Sequence, residues 1–80
     1  KAVKLSPKSF KARYNRGKCL LKLKYYDEAI LDFQQAVSIK PKHAASHEYL
    51  AEGYGAIGER ELAEKHQAIA DALRGKTDLF

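Results

Sequence analysis

From Ala12 onward, small and apolar residues recur three and four places apart: Gly17, Cys19, Leu20 and Leu23. That spacing collects them on one face of a helix. The pattern strengthens after Tyr26, where Ala29, Ile30, Phe33, Ala36, Val37 and Ile39 follow in the same rhythm. Local signals bracket these stretches. Ser9, or Ser6 followed by Pro7, can open the first helix, because Ser caps well and Pro is tolerated in a first turn. Asp27 and Glu28 fall in the first turn of the second, where acids oppose the positive end of the helix dipole. Pro41 stops it, Gly58 marks a turn, and Gly75 is placed as a C-terminal cap. The spacing predicts helices at about 9–22, 26–39, 43–56 and 60–74, an all-α chain.

The pattern also repeats. Ala2-Val3-Lys4-Leu5-Ser6-Pro7 matches Ala36-Val37-Ser38-Ile39-Lys40-Pro41 at an offset of 34, from Pro7 to Pro41. The same offset sets Ala51 under Gly17, Tyr54 under Leu20 and Ile57 under Leu23. It also sets Ala63 under Ala29, Ala70 under Ala36 and Leu73 under Ile39. A fixed period of this length is the mark of stacked supersecondary units.

These residues resemble the tetratricopeptide repeat family. Its signature of small, bulky and aromatic positions closed by Pro is carried by Gly17, Leu20, Tyr26, Ala29, Phe33, Ala36 and Pro41. A second copy has Ala51, Tyr54, Ala63 and Ala70, with Gln67 in place of the aromatic and Gly75 in place of the Pro. The resemblance implies antiparallel helix pairs stacked as an α-solenoid. It divides the chain into the end of a preceding helix (1–7), one repeat (8–41), a degenerate or capping repeat (42–75) and a tail (76–80), cut from a longer protein. Gly17 should let paired helices approach, and Phe33 should fill the gap toward the next repeat. Gly53, Gly55 and Gly58 should weaken the third helix. Leu62, Ala63, Ile69, Ala70 and Leu73 form the apolar stripe of a final helix whose other side is polar, as a terminal repeat requires. The preceding helix end would leave Val3, Leu5 and Phe10 in need of cover, which makes a homo-oligomer the second expectation for partners.

Composition sharpens this. With 80 residues, 45 % apolar, the chain is one small domain. No apolar run is long enough to span a bilayer. Net charge is +5 but uneven. Residues 1–42 hold eleven Lys/Arg against three Asp/Glu, a net of +8, and residues 43–80 hold four against seven, a net of −3. That acidic half, without alternating basic and aromatic residues, disfavours RNA as a partner. Cys19, the single cysteine, is expected to be a buried small hydrophobe, and an unpaired thiol suits the cytoplasm. His43 and His47 share a helix face, but no third ligand accompanies them and His66 is expected a helix pair away, so no metal is expected. No phosphate loop, paired-carboxylate cleft or activated nucleophile is present, so neither catalysis nor a cofactor is expected.

The basic half is patterned. Lys11, Asn15, Lys18 and Lys22 lie four, three and four apart, on one face of the first helix. The family resemblance implies that this face lines a concave groove, with Ala45, Tyr49, Glu52 and Ala56 at the matching places and Glu48 beside them. Expected groove residues are therefore Lys11, Tyr14, Asn15, Lys18, Lys22, Glu48, Tyr49 and Glu52. The expected partner is a protein or peptide, best matched by an acidic segment or a C-terminal carboxylate. Tyr14-Asn15-Arg16-Gly17 also resembles the groove helix of co-chaperone-type repeats, in which an Asn followed by Arg holds a carboxylate. Ala45 and Tyr49 stand where that clamp has basic residues.

Overall fold

The computed structural model describes residues 7–75. They form four helices: α1 (Pro7–Lys22), α2 (Tyr26–Ile39), α3 (Ala44–Ala56) and α4 (Arg60–Leu73). Among the described residues there is no strand, and the helices stack in chain order as an all-α helical repeat. The expected helix end at Lys1–Leu5, the Ser6 cap and the tail 76–80 lie outside the described residues.

Helix boundaries follow local chemistry. α1 starts at Pro7, whose missing N–H is no loss in a first turn. α2 carries Asp27 and Glu28 in its first turn. α3 starts one residue later than its spacing suggests, because His43 caps it: the ring Nδ1 accepts from the Ser46 backbone N–H at 3.2 Å. The turns after α1 and α3 are the same device 34 residues apart. The N–H of Tyr25 bonds the carbonyl of Leu20 at 2.8 Å, and the N–H of Glu59 bonds that of Tyr54 at 2.8 Å. Each needs a residue of positive φ just inside, supplied by Lys24 at 68° and Gly58 at 87°.

The core runs along the seam between the two helix pairs. Phe33, Ala29, Ala36 and Leu50 are fully enclosed, with Ile30, Leu21 and Tyr54 nearly so. A Cβ on Gly17 would lie 2.8 Å from the Phe33 ring, so the glycine makes room for it. Tyr49 stacks on the other side of Phe33, centroids 5.2 Å apart. The Gln34 side-chain amide donates to the Tyr54 hydroxyl at 2.7 Å, closing the seam with a polar bond.

Four expectations change. Cys19 is exposed, because the seam passes through Gly17 and Leu21 and turns that side of α1 outward. Leu23 belongs to the turn and is 60 % exposed. Phe10 is covered from within, 6 % exposed, beneath the edge of His43 (4.9 Å), the Tyr14 ring (5.6 Å) and the Lys40 ammonium (4.8 Å). It therefore needs no second chain to cover it; Val3 and Leu5 lie outside the described residues. Gly53 is not merely a weak helix former. It is buried against Ile30, whose Cγ1 a Cβ would approach to 2.8 Å.

Candidate functional site

α1 and α3 lie side by side on one face of the stack and touch only lightly, leaving a shallow groove. Tyr14 of α1 and Tyr49 of α3 meet edge to face across it, centroids 5.8 Å apart. The Lys18 ammonium sits 4.9 Å over the Tyr14 ring, a cation–π contact that holds it at the groove wall. Beside this pair, Lys18, Leu21, Lys22, Tyr49 and Glu52 line a cavity of about 400 Å³. Tyr49 and Glu52 also form the wall of a larger hollow of about 560 Å³ between α3 and α4. Thus Tyr14, Lys18, Lys22, Tyr49 and Glu52 are brought together. Lys11 and Asn15 are exposed on α1 but line neither hollow. Burial, and then the neighbouring Tyr49, push the Tyr14 hydroxyl above its usual pKa, so the groove offers it as a neutral O–H.

Two charges expected to face a ligand are held by the protein. Glu48 pairs with Arg74, at the end of α4, at 2.8 Å. Arg16 does not accompany Asn15 toward the groove. Its Nε and Nη2 donate to the two oxygens of Asp32 on α2, at 2.7 and 2.8 Å, which raises its pKa, chiefly through the hydrogen bond. Asp32 is 2 % exposed, and Arg13 stands 3.5 Å from it as well. The Asn-Arg pair is therefore split between two faces of α1.

The arrangement of α1 and α2 agrees with comparison to known proteins. The model of the tetratricopeptide repeat family matches residues 10–43. Through residues 10–43 the chain belongs to the tetratricopeptide repeat family. Relatives match along almost the whole chain. The anaphase-promoting complex subunit 3 of Schizosaccharomyces pombe is 36 % identical over 76 residues, covering 95 % of this chain and 11 % of that protein. The TPR repeat-containing thioredoxin TTL4 of Arabidopsis thaliana is 32 % identical over 79 residues, covering 99 % and 12 %. The inactive TPR repeat-containing thioredoxin TTL3 of the same plant is 32 % identical over 79 residues, covering 99 % and 11 %. The chain thus spans roughly a ninth of the length of these relatives. No solved structure matches it. Tetratricopeptide repeats in general mediate protein–protein interaction and are not catalytic modules.

Within this repeat frame, two polar ties that sequence reasoning missed become equivalent. Arg13 and Asp32 link α1 to α2; 34 residues on, His47 and His66 link α3 to α4, Nδ1 to Nδ1 at 3.1 Å. His66 is thus beside His47, not a helix pair away, and the spacing of His43 to His47 was the wrong one to weigh. His47 Nε2 lies 2.8 Å from the Pro41 carbonyl, which only accepts, so Nε2 carries the hydrogen. His47 Nδ1 must then accept, and His66 Nδ1–H donates to it. Burial, then His47 and Lys65, depress the His66 pKa; burial, then Lys40 and Arg74, depress that of His43. The described residues contain no group of three or more His, Cys, Asp or Glu able to hold a metal, and no helix long and apolar enough to cross a membrane.

Proposed function

We propose that the face formed by α1 and α3 holds an extended acidic segment of another protein. The observation that carries this is the hollow walled by Lys18, Lys22 and Tyr49, with the Tyr14 ring beside it against Tyr49 and Lys18. The rings give a planar apolar floor with hydroxyl edges, and the lysines supply charge that a carboxylate-bearing chain lacks. Lys11 and Asn15 extend the same helix face toward its start. Glu52, on the opposite wall, repels an acidic end and so favours one direction of the bound chain. Glu48 contributes less to that choice, because Arg74 neutralises it.

Exposed lysine contacts contribute about 0.2–1 kcal/mol each, so binding of this kind is weak and falls with salt. The probe is a fluorescein-labelled peptide of alternating Glu and Ser with a free C-terminal carboxylate, followed by anisotropy. K11E/K18E/K22E should abolish its binding while far-UV circular dichroism keeps the parent helicity. Equal affinity for the triple variant would move the interaction to the α2–α4 side or to the ends of the stack.

A further inference from the structure

Leu23, Tyr25, Ile57 and Leu62 are four of the six large apolar side chains that stand exposed among the described residues. All four fall at one place in the fold. Short connections make neighbouring helices antiparallel, so α1 and α3 end, and α2 and α4 begin, along the same long edge of the stack. Leu23 and Ile57 hold matching places in the two turns, 34 residues apart. Single exposed apolar residues are ordinary on a protein surface, but a cluster of them is not. Turn chemistry does not ask for them either, since Gly, Asn, Asp and Ser serve such positions best.

The cluster borders a hollow of about 380 Å³, lined by Lys24, Tyr25, Tyr26, Asp27 and Glu28 and, from the second turn, by Ile57. Tyr26 is half-buried and packs on the core, which fixes that part of the lining. Tyr25 and Ile57, 56 % and 43 % exposed, stand on backbone that the turns already hold. The Tyr25 N–H donates to the Leu20 carbonyl at 2.8 Å, and the Tyr25 carbonyl accepts from the Ala29 N–H at 3.0 Å. The Ile57 N–H donates to the Tyr54 carbonyl at 3.2 Å. A hollow preformed in this way loses little freedom when it is filled.

Charge decides what fills it. Residues 23–28 and 57–62 carry four acids, Asp27, Glu28, Glu59 and Glu61, against Lys24 and Arg60, a net of −2 on a chain of net +5. Asp32 and Glu48 are tied to arginines, whereas none of these four acids forms an ion pair among the described residues. The helix dipole accounts for acids in the first turns of α2 and α4, but not for the apolar residues beside them. Asp27 and Glu28 line the hollow, and Glu59 and Glu61 follow Ile57 in the second turn. An apolar hollow between acids repels nucleic acid and anionic membranes and suits a basic chain.

We propose that this edge docks a short basic segment of another protein, which sets a bulky apolar side chain in the hollow and carries Lys or Arg on both sides of it. The site is separate from the α1–α3 groove and opposite to it in charge, so the two surfaces select different segments. The apolar anchor supplies affinity, and the acids supply selection and sensitivity to salt.

The probe is a fluorescein-labelled peptide, Lys-Lys-Ser-Leu-Phe-Ser-Arg-Arg with an amidated C-terminus, followed by anisotropy. One companion peptide has Ser-Ser in place of Leu-Phe, and a second has Glu in place of every Lys and Arg. Each companion should bind about tenfold more weakly or worse, since the first loses a buried apolar anchor and the second meets like charge. Y25S/I57S should weaken the probe by the same factor with far-UV circular dichroism unchanged, because both positions are exposed. K11E/K18E/K22E should not weaken it, in contrast to its effect on an acidic peptide in the groove. The companion peptides act on the unsubstituted chain, so they decide the matter even where a variant folds poorly. Equal binding of the Ser-Ser peptide, equal binding by a folded Y25S/I57S, loss of the probe from K11E/K18E/K22E, or no saturable binding up to the solubility limit would each overturn the proposal. Self-association of the chain alone that I57S abolishes would overturn it as well, by giving the hollow to a second copy.

Discussion

Two glycines govern how closely the helices approach, and they differ in how visible they are. Gly17 is marked by the family signature and faces the Phe33 ring at a distance that excludes a Cβ. Phe33 is completely enclosed, so Phe33→Ala should destabilise by about 3–5 kcal/mol, enough to unfold so small a domain in a urea titration. A parent-like unfolding curve would mean that the ring is not a packing element. Gly53 carries no such mark, because its counterpart one repeat earlier is Cys19, which is exposed. Only the close pass of Ile30 reveals its role. Gly53→Ala should destabilise by about 1–3 kcal/mol through overpacking. In the double variant I30A/G53A the losses should be less than additive, since the alanine methyl enters space that Ile30 vacates. Strict additivity would show that the two side chains do not compete for one volume.

At the scale of the element, helix positions were legible almost to the residue, because period, proline and turn signals all agreed. The turn after α1 was not, since it contains no glycine. Lys24 occupies a left-handed conformation at φ 68°, in the place where the next repeat has Gly58. An L side chain there is strained, whereas glycine adopts that region freely at some entropic loss. Lys24→Gly should therefore stabilise the protein by about 0.5–1 kcal/mol, read as a higher melting temperature. A lower one would show that the Lys24 stem contributes packing that offsets its strain. The cap of α3 was equally hidden, because His43 at that place carries no usual capping signal and becomes one only by turning Nδ1 toward the Ser46 N–H.

For the molecule as a whole, the basic stripe on α1 was readable as a helix face. Which charges remain for a ligand was not. Arg16 with Asp32 and Glu48 with Arg74 join different helices, beyond any local spacing, so sequence could not say that these charges were already partnered. The histidines set the response to acid. His43 and His66 both have folded-state pKa values below the ordinary 6.5. The unfolded chain therefore takes up their protons first, and stability is complete above about pH 6.5 and declines as pH falls below it toward the folded-state values. His66→Asn should flatten part of that decline in melts between about pH 7 and 5, since one titrating group is gone. An unchanged slope would place the acid sensitivity elsewhere.

The seam between α2 and α3 has a kinetic consequence. Each helix packs chiefly on its neighbours in the chain, and α1 and α4 never meet among the described residues. Closing such contacts requires only short loops, so the chain should fold fast, in microseconds to milliseconds. A linear stack also loses structure from its ends, where a helix has a neighbour on one side only. Amide exchange should then be graded. The buried turns of α2 and α3 around Phe33 and Leu50 should exchange slowest, through global unfolding, and the amides of α1 and α4 should exchange sooner through fraying. In that hierarchy the rim of the proposed peptide groove on α1 is looser than its floor on α3. A bound segment would be detected first as slowed exchange along α1, before any change in melting temperature becomes measurable.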